Sequence, residues 1–328
     1  MKFGTIGTGY IVRAFLDGVY KNDGELAAVY SRRQETGEAF AKDYGSPQVY
    51  TNLEAMYNDE NVEVVYVASP NSLHYVQSLK ALQHGKHVVV EKPMCATVAQ
   101  AKKLFEEAKE RGLFIFEAIT NQHLPNYKLI PEILGKIGRI RMVQCNYSQY
   151  SSRYDALKSG EEPNVFSPKY SGGALSDINI YNIHFVIGLF GLPKDVAYYV
   201  NRHANGIDLS GVAILTYPDF IATCVGAKDS ASTNFAQIQG EDGYIYVRPG
   251  SNGCREVELH IKDKVTIYNQ QEDPNALYYE NVDFKKIIET KDYQARDAFM
   301  EESLKCMQVL NQARQFANLV FDEDVQPL

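Results

Sequence analysis

The chain has 328 residues, of which 45% are hydrophobic and 23% charged, the balance of a soluble globular protein long enough for two domains. Its net charge of −8 does not favour non-specific binding to nucleic acid. The five cysteines are scattered, odd in number and without a Cys-x-x-Cys pair, so neither a disulfide framework nor a metal site is expected.

Hydrophobic runs are too short for a membrane span, which needs roughly 20 apolar residues. Residues 1–20 lack the pattern of a signal peptide. We therefore expect a cytoplasmic protein with neither membrane nor nucleic-acid partners.

Strands and helices alternate over the first 120 residues. The predicted strands are 2–6, 26–30, 62–68, 87–90 and 113–116, and the predicted helices are 10–20, 34–44, 72–84 and 98–111. Short apolar strands separated by helices of this length indicate βαβ units and a parallel sheet. The sequence thus predicts an α/β fold with an N-terminal domain over residues 1–120.

The pattern then changes to strands that follow one another. Predicted helices are 126–134, 174–190 and 295–317, and predicted strands are 139–150, 196–203, 209–217, 220–226, 234–239, 243–247, 256–261 and 265–268. This order is typical of an α+β domain with a mostly antiparallel open sheet, here over residues 121–328. The helices cover one face of that sheet, so we expect a homodimer or higher homo-oligomer through the other face.

A glycine-rich turn follows the first strand. Gly7 and Gly9 permit a tight turn and a close approach of backbone to a pyrophosphate, which would lie at the helix start formed by Tyr10 and Ile11. The third position of the usual fingerprint is Val12, which places close helix–strand packing in doubt. A plain strand–turn–helix is the alternative interpretation. With the parallel sheet, the turn predicts a Rossmann dinucleotide-binding domain.

The end of the second strand carries Ser31, Arg32 and Arg33, and the first acidic residue beyond it is Glu35. NAD-binding folds place an acid here, whereas a guanidinium pair suits a 2′-phosphate. The sequence therefore favours NADP as cofactor, with NAD as the second choice. The alternative is that both arginines are solvated loop residues.

Two further segments follow strand ends, where ligands bind in open α/β sheets. Ser69, Pro70, Asn71 and His74 follow the third strand, and we assign them to the nicotinamide half of the cofactor site. His74 could instead cap or pad the following helix. Glu91 and Lys92 follow the fourth strand and are assigned to the same half of the cofactor site, with the Lys92 charge pointing into the crevice beside the cofactor.

Asp177, Tyr181 and His184 lie on one face of the helix predicted over 174–190, because they are spaced four and then three residues apart. A carboxylate, a phenol and an imidazole on one helix face indicate that this face lines a cleft. The alternative is an exposed polar stripe. Tyr147, Tyr150, Tyr154 and Tyr170 are candidates to line a pocket for a ring-shaped substrate, and the alternative is that they pack the sheet.

The chain resembles the Gfo/Idh/MocA family of NAD(P)-dependent oxidoreductases over nearly its whole length. The matching motifs are Gly7-x-Gly9, Ser69-Pro70-Asn71-x-x-His74, Glu91-Lys92-Pro93 and Gly172-Gly173-Ala174-Leu175-x-Asp177-x-x-x-Tyr181. Tyr181 replaces the histidine of many members, so the chain is most similar to the dihydrodiol dehydrogenase and glucose-fructose oxidoreductase branch. It departs from that branch at Asn179, usually glycine, and carries His184 one turn beyond Tyr181.

The resemblance implies hydride transfer between nicotinamide and a small-molecule substrate, namely a sugar, polyol or dihydrodiol. It implies Tyr181 as acid/base, Lys92 as its electrostatic partner and donor to the substrate oxygen, and Asp177 as the group that orients Lys92 or the substrate. His184 is a substrate contact or a substitute acid/base. In this scheme the Lys92 ammonium and the Tyr181 phenol converge on the nicotinamide. The alternatives are a non-catalytic nucleotide sensor and, less well matched, a methyltransferase using S-adenosylmethionine.

Overall fold

Two compact units make up the computed structural model, which describes residues 1–325. The first contains Met1–Ala118 together with Leu277–Glu301, and the second contains Ile119–Ala276 and the described residues from Glu302 onward. The sequence interpretation had placed all of residues 121–328 in one domain, whereas 277–301 packs with the first unit. The assignment of a nucleotide-binding role to one domain and a substrate-binding role to the other stays a proposal.

The first unit alternates strands with helices through Ala118. Its elements are β1 (Lys2–Ile6), α1 (Tyr10–Lys21), β2 (Glu25–Tyr30), α2 (Gln34–Ala41), β3 (Gln48–Tyr50), α3 (Leu53–Tyr57), β4 (Val64–Val67), α4 (His74–Gln83), β5 (His87–Glu91), α5 (Val98–Glu110) and β6 (Ile115–Ala118). The sequence did not predict β3 or α3, because three and five residues are too short for a periodicity to emerge.

The first sheet is parallel and runs in the order β3-β2-β1-β4-β5-β6. This is the strand order of dinucleotide-binding folds, in which ligands bind beyond the carboxyl ends of the strands. The central strands are buried on both faces, as the near-continuous valine runs of β4 and β5 require. The predicted Rossmann sheet is confirmed.

Helix α9 (Ala276–Glu289) returns the chain to the first unit and was missed by the sequence interpretation. Phe284 stacks on Phe116 of β6 at 4.6 Å between ring centroids. The buried face of α9 also includes Glu280 and Asn281, and these polar residues interrupt the apolar stripe that predicts a helix. Burial raises the pKa of Glu280 well above its ordinary value.

The second unit begins after β6. Its elements are α6 (Pro125–Leu134), β7 (Ile140–Ser148), α7 (Tyr154–Lys158), a π-helical turn (Leu175–Asn179), α8 (Ile180–Phe190), β8 (Asp195–Arg202), β9 (Asp208–Thr216), β10 (Ile221–Ala227), β11 (Phe235–Gly240), β12 (Gly243–Arg248), β13 (Glu256–Ile261) and β14 (Lys264–Tyr268). Helix α10 (Tyr293–Phe316) contributes residues to both units.

Within residues 1–325, the second sheet has eight strands in the order β14-β13-β12-β11-β7-β10-β9-β8, and only the β7–β10 pair is parallel. The predicted mostly antiparallel sheet is therefore confirmed. One face is core: Cys145, Cys224 and Ala236 are aligned across it and buried. Asn179, at the end of the π turn, bonds to the Cys224 carbonyl, so the site helix packs on β10.

None of the helices within residues 1–325 is both long and apolar enough to cross a membrane.

Candidate active site

The glycine turn after β1 has the conformation that a dinucleotide needs. Gly7 has φ +123°, and a Cβ there would lie 2.8 Å from the Ala68 carbonyl oxygen, so no larger residue fits. A Cβ on Gly9 would meet no atom of the described chain within 4 Å, which leaves space in front of the first turn of α1. Gly9 caps α1 without a side-chain hydrogen bond, so the first amide groups remain available to a phosphate.

The residues after the turn serve two purposes. Tyr10 is 85% exposed and Ile11 is half-buried, so both are accessible at the helix start. Val12 is fully buried in the core beside β1. Val12 therefore does not prevent close packing of α1 on β1, because its side chain is part of the contact between them.

The end of β2 presents two arginines to solvent. Ser31 is buried and its amide donates to the Tyr50 carbonyl at 3.0 Å, which ties the loop to β3. Arg32 and Arg33 are both exposed beyond this anchor. The predicted arginine pair thus lies on a fixed backbone with both side chains accessible to a ligand.

Lys92 lies directly after β5 in a segment whose neighbouring residues are each held by a different element. The Tyr66 hydroxyl of β4 donates to the Glu91 carboxylate, and the Lys92–Pro93 peptide is cis. The Met94 amide donates to Oε1 of Glu117 on β6 at 2.9 Å. The backbone on either side of Lys92 is therefore fixed, whereas the lysine itself is half-buried.

His74 braces two of these loops. It is 1% exposed, with Nδ1 2.8 Å from the Pro93 carbonyl oxygen and Nε2 2.9 Å from the Ser69 carbonyl oxygen. Burial lowers its pKa, opposed by the two carbonyls. This geometry favours the structural alternative for His74 over direct contact with a nucleotide. Ser69, Pro70 and Asn71 are half-buried at the adjoining strand end.

The helix that carries the second set of site residues begins with the π turn, a feature often found at functional sites. Asp208, the first residue of β9, accepts the Leu175 amide at 2.6 Å and so caps this helix with a buried carboxylate. Gly173 has φ +98°, and a Cβ there would collide with Asp208. Gly173 therefore makes room for the cap, whereas a Cβ on Gly172 would lie 2.5 Å from the Val165 carbonyl oxygen. Burial raises the pKa of Asp208, opposed by the Leu175 amide and the Tyr198 hydroxyl.

A buried amide network fixes the same helix on the sheet. Asn179 donates to the Cys224 carbonyl at 2.9 Å, and Asn182 donates to the Val225 carbonyl at 2.8 Å. Asn182 also donates to Asn179 and accepts from the Ser251 hydroxyl. Asn179, which departs from the family pattern, thus anchors the turn between Asp177 and Tyr181.

Asp177 forms an ion pair with Lys228, which follows β10. The Asp177 side chain is 32% exposed and that of Lys228 only 8%. The sequence interpretation had assigned Asp177 to Lys92 or the substrate and had not singled out Lys228.

Tyr181 and His184 differ in their surroundings. Tyr181 is half-buried, and its ring packs edge-on against Tyr147 at 5.8 Å between centroids. His184 is fully buried, and its Nδ1 lies 2.9 Å from the Gln122 amide nitrogen, which also donates to Glu302. The two are therefore not equivalent candidates for proton transfer, because only the phenol has an accessible position.

Lys228, Asp208 and Glu117 are the residues of these two sites that sequence reasoning missed. Each had a signal: a charged side chain at the end of, or inside, an otherwise apolar strand. Such charges are rarely buried without a partner. The partner, however, lies far away in sequence, and only the fold reveals it.

A dinucleotide-type sheet with a strand-end lysine, and a separate helix bearing a carboxylate and a phenol, define a nicotinamide-dependent oxidoreductase. The chain belongs to the Gfo/Idh/MocA family. Residues 1–118 match the family model described as "Oxidoreductase family, NAD-binding Rossmann fold", and residues 134–246 match the GFO/IDH/MocA C-terminal domain.

Curated relatives support this membership. The chain is 35% identical to scyllo-inositol 2-dehydrogenase (NADP(+)) IolU of Bacillus subtilis over 326 residues, 99% of each protein. It is 27% identical to trans-1,2-dihydrobenzene-1,2-diol dehydrogenase of Macaca fascicularis, over 74% of this chain and 73% of that protein. Among solved structures, the 3-ketoreductase KijD10 of Actinomadura kijaniata has the same fold, with a TM-score of 0.83 at 23% identity, over 96% of this chain and 97% of that one.

Proposed function

We propose that this chain transfers a hydride between NADP(H) and a hydroxyl-bearing carbon of a sugar, polyol or dihydrodiol-like substrate. The main support is the position of Lys92 at the carboxyl end of β5, where Tyr66 and Glu117 hold the residues on either side of it. A mobile surface lysine would need no such support. The relative that acts on scyllo-inositol directs the first substrate tests to cyclic polyols.

The residues of the first unit fit a dinucleotide. Gly7 admits no side chain and Gly9 leaves open space before the α1 amides, so backbone can approach a pyrophosphate closely. The exposed Arg32 and Arg33 support NADP over NAD, because a guanidinium binds phosphate in a forked geometry. The relative IolU is itself named for NADP(+).

When bound, the nicotinamide ring supplies the hydride chemistry. The protein must move the hydroxyl proton and orient the substrate oxygen. We assign Tyr181 as acid/base, Lys92 as donor to the substrate oxygen, and Asp177 as the carboxylate that orients the substrate or Lys92. A phenol is a poor base at neutral pH, and a nearby ammonium favours its phenolate form.

His184 is assigned a supporting role. Its full burial and its contact with Gln122 suit a residue that positions α8, so the acid/base role goes to Tyr181. For the same reason, we assign His74 a structural role, in which its two ring nitrogens link the loops at Ser69 and Pro93.

Arg32→Ala is expected to weaken NADPH binding about 10- to 100-fold, because it removes a charge-assisted contact to the 2′-phosphate. NADH binding should change by no more than about twofold. Fluorescence titration of both nucleotides checks this. Arg111→Ala, which removes an arginine paired with Glu107 in the same unit, is the control. Equal weakening of both nucleotides would contradict the 2′-phosphate assignment.

The function itself is tested by titration with NADPH followed by a panel of polyols, sugars and diols with NADP. We expect binding and then production of NADPH, seen at its absorbance band, with at least one cyclic polyol. If the protein binds NADPH but does not reduce NADP with any member of the panel, the result would support the sensor alternative. Binding of S-adenosylmethionine without a nucleotide response would support the methyltransferase.

A homodimer through the second sheet is also proposed. The strand register aligns six apolar side chains, 36% to 59% exposed, on the face opposite the core: Met142, Tyr199, Ile221, Tyr244, Val265 and Ile267. Exposed apolar patches of this kind mark protein interfaces. The same patch on a second copy gives a closed two-fold contact.

Light scattering of the purified chain should therefore give twice the monomer mass, and Ile221→Lys should shift it toward the monomer. Val76→Lys, at an equally exposed apolar position on α4, should leave the mass unchanged. A monomeric wild-type protein would contradict the proposed interface.

A further inference from the structure

Lys228 is a buried lysine in the second unit. Its side chain is 8% exposed, and within residues 1–325 its only ion-pair partner is Asp177. Its ammonium also lies 5.9 Å from the centroid of the Phe166 ring. A buried ammonium is costly unless it is paired, so the carboxylate of Asp177 is required for Lys228 to be where it is.

The backbone of Lys228 is held on both sides. Its amide donates to the Leu209 carbonyl at 2.9 Å, and its own carbonyl accepts the Ser151 amide at 2.9 Å. The lysine thus continues the ladder of β10 and β9 beyond the last residue of β10. Its side chain starts from a fixed backbone, and its ammonium lies beside the Phe166 ring.

Burial is unequal across the ion pair. Lys228 is enclosed, whereas the Asp177 side chain is one-third exposed. The lysine is therefore the anchor, and the carboxylate is the group that reaches the surface. Four residues after Asp177, on the same helix face, stands the phenol of Tyr181.

We propose that Lys228 is a positioning residue for the dehydrogenase reaction, an inference that rests on the proposed function. It fixes the direction of the Asp177 carboxylate and balances its charge beside Tyr181. Without that balance, the carboxylate would repel a phenolate one helical turn away and hold the phenol in its protonated form. In this unit, Tyr147 packs on the Tyr181 ring. Asp177, with Lys228 as its ion-pair partner, precedes Tyr181 by four residues, and His184 follows it by three.

The first test measures the ion pair without catalysis. Asp177→Asn leaves a buried ammonium unpaired and is expected to lower the melting temperature by about 3–6 °C. Adding Lys228→Met should recover most of that loss. Lys228→Met alone should cost less than Asp177→Asn, because the carboxylate left behind reaches water. An Asp177→Asn protein as stable as wild type, with no recovery in the double variant, would overturn the proposal.

The second test is kinetic and uses the polyol found in the substrate panel. Lys228→Met should lower kcat about 10- to 100-fold and move the rise of kcat with pH upward by about one unit, while the Kd for NADPH stays unchanged. Lys228→Arg should restore the pH profile because it keeps the charge. If Lys228 were merely structural, its replacement would change stability without moving the pH profile of kcat.

Lys194→Met is the matched control, since Lys194 is an exposed lysine of the same unit. If Lys228→Met does not fold, Lys228→Gln replaces it in both tests. Wild-type kcat and pH profile in the folded variant would overturn the inference and leave the proposed function intact. If the wild-type protein does not reduce NADP with any substrate of the panel, the proposed function is overturned. The melting experiment still tests the ion pair in that case.

Discussion

Replacing Lys92 with methionine is expected to lower kcat by about 10²–10⁴, because the side chain that donates to the substrate oxygen is lost while its length is kept. NADPH binding should persist within about twofold, since the glycine turn and the arginine pair are separate from Lys92 in the sheet. Steady-state kinetics with a polyol and a fluorescence titration give the two quantities.

Lys80→Met is the control for Lys92, because it removes an exposed lysine from α4 of the same unit. It should be indistinguishable from wild type. If Lys92→Met kept full turnover, the lysine would have no catalytic role, and the support from Tyr66 and Glu117 would have to serve the fold alone.

Tyr181→Phe is expected to cause a loss of comparable size, about 10²–10⁴ in kcat, because it removes the group that takes the hydroxyl proton. The ring contact with Tyr147 is retained, so stability should change little. In the direction of substrate oxidation, wild-type kcat should rise as pH rises through the titration of the phenol. That rise should be absent from the variant.

Tyr217→Phe is the control, because it removes a phenol hydroxyl at another position of the second unit. In the wild-type protein, the Tyr217 hydroxyl donates to the Gly191 carbonyl at 2.7 Å. The replacement should lower stability and leave the pH profile alone. A Tyr181→Phe variant that kept both turnover and the pH-dependent rise would transfer the acid/base role to another group. His184 would then be next in line, tested by His184→Gln.

The fold was predictable where local patterns repeat. The valine runs of β4 and β5 and the glycines after α4 and α5 place strands and helix ends unambiguously. Helix α9 was not predictable, because its buried face includes Glu280 and Asn281, and Asn281 donates to the Phe15 carbonyl of α1. Polar residues with partners more than 200 positions away carry no periodic signal.

The candidate site follows the same rule. Gly7, Lys92, Asp177 and Tyr181 could be proposed from the sequence because their positions at strand ends and on one helix face are local features of it. The interactions that hold them are not local: Glu117 is 23 residues from Met94, and Asp208 is 33 residues from Leu175. Lys228 is 51 residues from Asp177. The sequence therefore proposes candidate reacting side chains, and the structure adds which side chains hold those candidates in place.

The most direct test is a crystal structure of the ternary complex with NADP and a polyol that the enzyme oxidises. We expect the Lys92 ammonium and the Tyr181 hydroxyl both to lie within hydrogen-bond distance of one substrate oxygen, with the attached carbon next to the nicotinamide. A complex in which either side chain lies far from the substrate would contradict the central claim that these two residues act on the same carbinol.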